Sequence, residues 1–381
     1  MTTRYVVARH CFGGIGDHLS CLIGAWWLAR RTGRTLVVDW RGSRFNADAS
    51  NRRNCFFGVF EPRESLGDVE VIADDRVASL DYPGPIYPRK WSPESLAATA
   101  HMQHTADEVR AINHLVTSVE DPAAPTVVLN QWVEPLPSRE SVRLLLRGLQ
   151  HGEPIRAAAQ TFWSEHVGSA PAVAIHVRHG NGENIGWRAA YWLGPLALAR
   201  QLARNARTDV HRPGIFGRFS DNMPPSLVGT AAQASAERRF CRRIATAFRA
   251  LTRAPGLAGA VPILFCDAAH IAPILREFLP SMVERSKRLP SRGDGPLHQL
   301  DAKSVAHDAT VGIRTAGIAD DITRDMFVEL ELMRRCSGLL YMNSGFSLIA
   351  RFELEASRVS VLEPSLANQT IAKIVSRLTR A

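Results

Sequence analysis

At 381 residues, with 45% hydrophobic and 22% charged residues, the chain has the composition of a globular protein and is long enough for two hydrophobic cores. No apolar run reaches the length needed to cross a bilayer, and the segment from Met1 to Tyr5 lacks the pattern of a secretory signal, so the expected location is the cytoplasm. The net charge of +9 is almost all arginine, since only Lys90, Lys287, Lys303 and Lys373 are lysines; spread along the chain without interleaved aromatic platforms, it argues for an anionic ligand or at most peripheral contact with an acidic membrane, and against nucleic acid.

The predicted elements begin with a strand at Arg4 to Ala8, a glycine turn at Gly13, Gly14, Ile15 and Gly16, and a helix capped by Asp17 that runs to about Thr32. Gly33 suits the stop of that helix, and Thr35 to Trp40 reads as a second strand. Strand, turn, helix and strand make a βαβ unit, which implies a parallel sheet. Val71-Ile72 and Thr126 to Leu129 extend the same lobe, and the proline-rich Tyr82 to Pro88 reads as an extended loop. A helix from about Ile155 to His166 leads to Gly168-Ser169-Ala170-Pro171, the expected crossing between an N-terminal lobe of residues 1–168 and a C-terminal lobe of residues 169–381.

The second half repeats the design. Strands are expected at Val173 to Val177, Ile263 to Cys266, Leu339 to Tyr341 and Val359 to Leu362. Helices are expected around Leu193 to Ala206, Ile271 to Leu279 and Met326 to Cys336. Residues 207–255 are rich in Arg, Pro and Ser and read as an insertion. The fold class is α/β, with two Rossmann-like lobes facing a cleft. Six cysteines without C-x-x-C spacing read as free buried thiols.

The sharpest constellation is His176-Val177-Arg178-His179-Gly180-Asn181-Gly182-Glu183. An apolar strand ends here and releases polar groups and glycines in one turn, at the edge where parallel sheets bind ligands. The guanidinium fork of Arg178 matches a phosphate, and the glycines allow close approach of backbone N–H groups. Glu329 is expected on the apolar arc of its helix, with Met326, Leu330 and Met333. Such a carboxylate needs a partner, either a nucleotide or a nearby arginine. Asn343-Ser344-Gly345-Phe346-Ser347 is another strand-end turn, and Asp267 either caps the next helix or meets a ligand. The Gly14 and Gly16 turn resembles a phosphate cradle without being a G-x-G-x-x-G or P-loop motif, and Gly293 to His298 reads as a lid or a plain loop. No D-x-D, H-E-x-x-H or G-x-S-x-G occurs, so no metal ligands, zincin or α/β-hydrolase signature is found.

The stretch from His176 to Glu183 resembles the donor-site motif of the nodulation fucosyltransferase (NodZ) family. The likeness continues at Arg31 to Ser43, Asp74 to Val77, Tyr82 to Pro85 and Gly295 to His298, in collinear order. The resemblance implies a GT-B fold with GDP-fucose held by the C-terminal lobe and an oligosaccharide acceptor by the N-terminal lobe. It further implies inverting α1,6 transfer to N-acetylglucosamine of a chitin oligosaccharide, without cofactor or metal. Arg178 would then bind the β-phosphate with His176, His179, Asn181 and Gly182 around it. Asp267 falls in the family's second motif and Ser344 to Ser347 in its third. Glu329 stands where relatives carry Asp. Glu183 and Asp17 are both candidates for the base that takes the acceptor proton. Two other readings remain: transfer from this or another GDP-sugar to a lipopolysaccharide or protein, and an inactive carbohydrate- or GDP-binding protein.

Overall fold

The computed structural model describes residues 3–9, 15–43, 53–61, 63–99, 102, 105–118, 120–134, 136–177, 231–266, 270–285, 321–342, 345–363 and 370. Two compact units emerge. The first comprises Met1–Trp163, Thr310–Arg334 and Ser344–Glu353, and the second comprises Ser164–Ala309, Arg335–Asn343 and Leu354–Ala381. The chain therefore returns to its first unit twice after leaving it.

The first unit is built on β1 (Tyr5–Arg9), α1 (Ile15–Thr32) and β2 (Thr35–Asp39). β1 and β2 pair in parallel from Tyr5↔Thr35 to Arg9↔Asp39. With β3 (Ser65–Leu66), β4 (Val69–Ile72), β5 (Ile86–Tyr87) and β6 (Thr126–Leu129) they form a sheet of order β3-β4-β2-β1-β6-β5. All pairs are parallel except β3 with β4. β2 and β6 are buried along their whole length, which explains why their sequences read as unbroken apolar runs rather than alternating ones. The proline-rich stretch is more than a loop, because Ile86 and Tyr87 pair with Thr126 and Val127. α1 is buried nearly all round, from Ile15 to Ala29. It begins two residues before Asp17, so Asp17 sits in its first turn rather than capping it. There the carboxylate still favours the positive end of the helix dipole. Gly33, at φ +60°, makes the left-handed turn that ends the helix.

Among the described residues of this half, further α-helices are α2 (Phe56–Val59), α3 (Pro93–Ala97), α4 (Ala106–Thr117), α5 (Arg139–Gly148) and α6 (Glu153–His166). α4 starts at a reciprocal cap in which the Thr105 hydroxyl accepts from the Glu108 backbone N–H and the Glu108 carboxylate accepts from that of Thr105.

The second unit holds β7 (Ala172–Val177), α7 (Ala231–Leu251), β8 (Val261–Cys266), α8 (Ile271–Arg276), β9 (Val283–Glu284), β10 (Gly338–Tyr341) and β11 (Val359–Val361). Its sheet has the order β11-β10-β7-β8-β9 and is parallel throughout. α9 (Asp321–Arg335) and α10 (Leu348–Glu353) belong almost wholly to the first unit. The reading of 207–255 as an inserted excursion needs correction over 231–251. Ala236, Phe240, Ile244, Phe248 and Leu251 recur at helical spacing, and α7 buries them against the sheet. Each of the larger apolar side chains gains ~1.5–3 kcal/mol by burial, so α7 is a structural part of the unit. The five Arg side chains between them disguised that period.

Candidate functional site

In the second unit the chain leaves three neighbouring strands side by side. β7 is central, with Val177 opposite Cys266 of β8 and His176 opposite both Phe265 of β8 and Tyr341 of β10. The Met342 backbone N–H donates to the His176 carbonyl at 3.1 Å, keeping the β10 exit level with that of β7. Ligands of parallel α/β sheets bind at this carboxyl edge. The next residues of β7 and β8 are Arg178 and Asp267, and Ser344 follows β10 three positions on; all three lie outside the described residues, as do His179, Asn181, Gly182, Glu183 and Gly14. The 293–298 loop and the helix expected at 193–206 lie outside them too. His176 itself is 5% exposed at the end of β7.

The first unit brings together two motifs that are far apart in sequence. Gly16, in the first turn of α1, packs backbone to backbone against Gly345, and a Cβ built on Gly16 would lie 2.2 Å from the Gly345 carbonyl carbon. A Cβ on Gly345 would lie 3.0 Å from the Gly16 Cα and 3.1 Å from the Trp132 ring. Two glycines are required here because only they permit this approach. Gly345, Phe346 and Ser347 form one turn of 3-10 helix leading into α10, with Ser347 buried and Phe346 half-buried. Asp17, next to Gly16, is half-buried.

Glu329 is half-buried on α9, with Phe327, Val328, Leu330, Leu332 and Met333 buried around it. Leu330, Leu332 and Met333 lie in the core as expected, and Met326 is half-buried. Glu331, on the same helix, meets His151. Its carboxylate accepts a 2.9 Å hydrogen bond from Nδ1 of His151, which is fully buried and stacked on Phe60. Because a carboxylate only accepts, Nδ1 bears the proton, and Nε2 is a buried lone pair with no hydrogen-bond partner among the described residues. Burial lowers the pKa of His151, against the opposing bond to Glu331. Arg334 lies one turn on, donating to Glu353 at 3.0 Å and to the Leu149 carbonyl at 2.8 Å. Burial raises the pKa of Glu353 despite that arginine.

Sequence reasoning also missed a buried cluster at the carboxyl ends of β1 and β2. Arg9 donates to Asp39, and Arg41 Nε donates to the same carboxylate at 2.9 Å. Both guanidinium groups reach the Leu96 carbonyl, at 3.2 and 3.1 Å. Arg9 and Asp39 are fully buried side chains, and burial lowers the pKa of Arg9 while Asp39 opposes it. The pattern Val38-Asp39-Trp40-Arg41 offered a hint, since a charged pair ending an apolar strand has to be satisfied locally. Its long-range partner, Arg9, had no local signal.

Among the described residues no group of three or more His, Cys, Asp or Glu is arranged to hold a metal ion. The described cysteines, Cys21, Cys55, Cys241, Cys266 and Cys336, are free and buried, as expected. No helix among the described residues is long and apolar enough to cross a membrane.

Two largely parallel sheets, with the motif-bearing strands adjacent at one carboxyl edge, define a Rossmann-like α/β protein of two units. A solved NodZ α-1,6-fucosyltransferase soaked with GDP-fucose is similar over 96% of this chain and 97% of its own, with a TM-score of 0.60 and 23% identity. POFUT1 in complex with GDP-fucose is similar at a TM-score of 0.50 and 14% identity, over 95% and 99% of the two chains. The fold is thus the GT-B fold. The family described as Nodulation protein Z (NodZ) matches residues 2–214, and the chain belongs to it. Nodulation protein Z of Bradyrhizobium diazoefficiens is 35% identical over 200 residues, 52% of this chain and 53% of that protein. The Azorhizobium caulinodans protein is 24% identical over 341 residues, 88% and 84% of the two chains. The match thus spans about half the length of the Bradyrhizobium relative, and 62% of the Sinorhizobium fredii one.

Proposed function

We propose that this chain is a fucosyltransferase that moves fucose from GDP-fucose to an oligosaccharide, with N-acetylglucosamine of a chitin oligosaccharide, in α1,6 linkage, as the acceptor. The observation that carries the reading is the level exit of β7, β8 and β10, the strands after which Arg178, Asp267 and Ser344 follow in the sequence. The GDP-fucose soaked into a NodZ enzyme of the same fold supports the choice of donor.

The chemistry asks for two things. The anomeric C–O bond breaks as GDP departs, so negative charge grows on the β-phosphate. Arg178 meets that charge, helped by the backbone N–H groups of Gly180 and Gly182 and by His176, His179 and Asn181; Asp267, Glu329 and the Ser344 to Ser347 turn complete the donor contacts. A fixed guanidinium stabilises the developing charge because it needs no reorganisation as the bond parts. The acceptor hydroxyl must also lose a proton as it attacks from the opposite face, inverting the centre. Glu183 and Asp17 are the two carboxylates offered for that step. The lack of any D-x-D motif in the sequence supports a metal-independent reaction. The cytoplasm, where nucleotide sugars are made, fits this donor.

Incubating the protein with labelled GDP-fucose, EDTA and chitin oligosaccharides, and locating new linkages by mass spectrometry, tests the reading. Fucose on the reducing-end sugar supports it. Label confined to a lipopolysaccharide or protein acceptor would move the substrate, and GDP binding without transfer to any acceptor would reduce the chain to a binding protein.

A further inference from the structure

α7 carries a feature that donor chemistry does not use. From Ala231 to Arg253 the chain has six arginines, Arg238, Arg239, Arg242, Arg243, Arg249 and Arg253, against one acid, Glu237. All six are exposed, whereas Glu237 is 4% exposed. The opposite face of the helix is sunk in the unit's core through Phe240, Ile244 and Phe248. From Arg238 to Arg249 the cationic face of α7 is ~17 Å long at helical rise, and Arg253 follows two residues past the helix end.

Most of the guanidinium groups are positioned by contacts to an aromatic ring, backbone carbonyls or a hydroxyl. Arg238 and Arg242 lie 5.6 and 5.5 Å from the ring centre of half-buried Phe278. Arg249 donates to the Phe278 carbonyl at 2.7 Å, and Arg243 to the Glu363 carbonyl at 2.7 Å. Arg239 donates to the Ser235 hydroxyl at 2.6 Å. Arg238 also pairs with the Glu277 carboxylate. Arginine forks positioned this way are suited to phosphate oxygens.

We propose that this face of α7 docks the protein on an anionic phospholipid surface. A plane of phosphodiester headgroups meets the whole length of a surface helix at once. A nucleic-acid groove needs a helix that protrudes, whereas α7 is half-embedded. A single strand needs free aromatic faces for stacking, and Phe278 is already covered by two guanidinium groups. The contact is electrostatic, since the apolar face of α7 is committed to the core, and it weakens as salt screens it.

Co-sedimentation of the full chain with vesicles tests this. Binding is expected to vesicles of phosphatidylcholine mixed with phosphatidylserine, not to phosphatidylcholine alone, and is expected to vanish in high salt. The variant Arg239→Gln/Arg242→Gln/Arg253→Gln should weaken partitioning roughly a hundredfold while unfolding at the wild-type temperature. A control that removes three charges from the first unit, Arg63→Gln/Arg76→Gln/Arg110→Gln, should sediment like wild type. Equal binding to neutral vesicles, no binding to either, or equal losses in both variants would overturn the proposal. So would an oligonucleotide bound through the same arginines by a protein that ignores the vesicles.

Discussion

Replacing Gly16 with alanine tests the contact between the two glycine motifs of the first unit. The added Cβ would fall 2.2 Å from the carbonyl carbon, 2.4 Å from the Cα and 2.5 Å from the oxygen of Gly345. All three are backbone atoms, so no side-chain rotation relieves the overlap. Inserting a methyl group into packed structure costs ~1–3 kcal/mol, and a clash with backbone belongs at or above the top of that range. For a unit of this size ~3 kcal/mol corresponds to a fall in melting temperature of about 6–12 °C. Gly345→Ala supplies the graded comparison. Its Cβ meets the Gly16 Cα at 3.0 Å and the movable Trp132 ring at 3.1 Å, so a smaller fall is expected. Thermal unfolding followed by circular dichroism reads both. Because Gly345 lies within the Ser344 to Ser347 motif, Gly16→Ala should also disturb the turn and weaken GDP-fucose turnover. A Gly16→Ala protein that melts within 2 °C of wild type (under about 1 kcal/mol), or a Gly345→Ala protein that melts well below it, would refute the packing described.

Other expectations concern charge. Arg178→Ala should reduce kcat for fucosyl transfer by about a hundred- to a thousandfold, the usual cost of one lost charge-stabilising donor, with an unchanged melting temperature. Asp39→Ala leaves Arg9 and Arg41 buried without their shared carboxylate and should destabilise the protein by ~3–5 kcal/mol, measured by urea unfolding. The fold holds His151 neutral with a pKa below its ordinary value of about 6.5. The unfolded chain takes up a proton below that pH and the folded chain resists it, so this histidine withdraws stability as pH falls from about 6.5 toward its folded pKa. Glu353, whose pKa is raised, acts in the opposite sense over its own range. The signature is therefore a difference: stability of wild type relative to His151→Gln should decline on acidification below about pH 6.5 and stay flat above it.

Much of the fold was legible because its strands are short apolar runs bounded by turn residues. Thr126 to Leu129 is a strand with the bounds expected, and β7, β8 and β10 each differ from expectation by one or two residues. The βαβ opening followed from a glycine turn between a strand and a long apolar helix. What failed has physical causes. α7 was hidden because arginine content was read ahead of period. Ile86 and Tyr87 join the sheet as an edge strand, where the prolines around them do no harm to the ladder. The Gly16–Gly345 approach and the His151–Glu331 bond join residues 329 and 180 positions apart, and no local pattern announces such pairs. The end of β7 at Val177 was legible because the apolar run stops there and polar residues and glycines follow.

Calorimetric titration of GDP-fucose into the purified protein in EDTA measures the donor site itself. Saturable binding at one site per chain, lost in Arg178→Ala but kept in the α7 triple variant, is the outcome predicted. Equal affinity in wild type and Arg178→Ala would contradict it, because the pyrophosphate would then be held somewhere other than the carboxyl edge of β7.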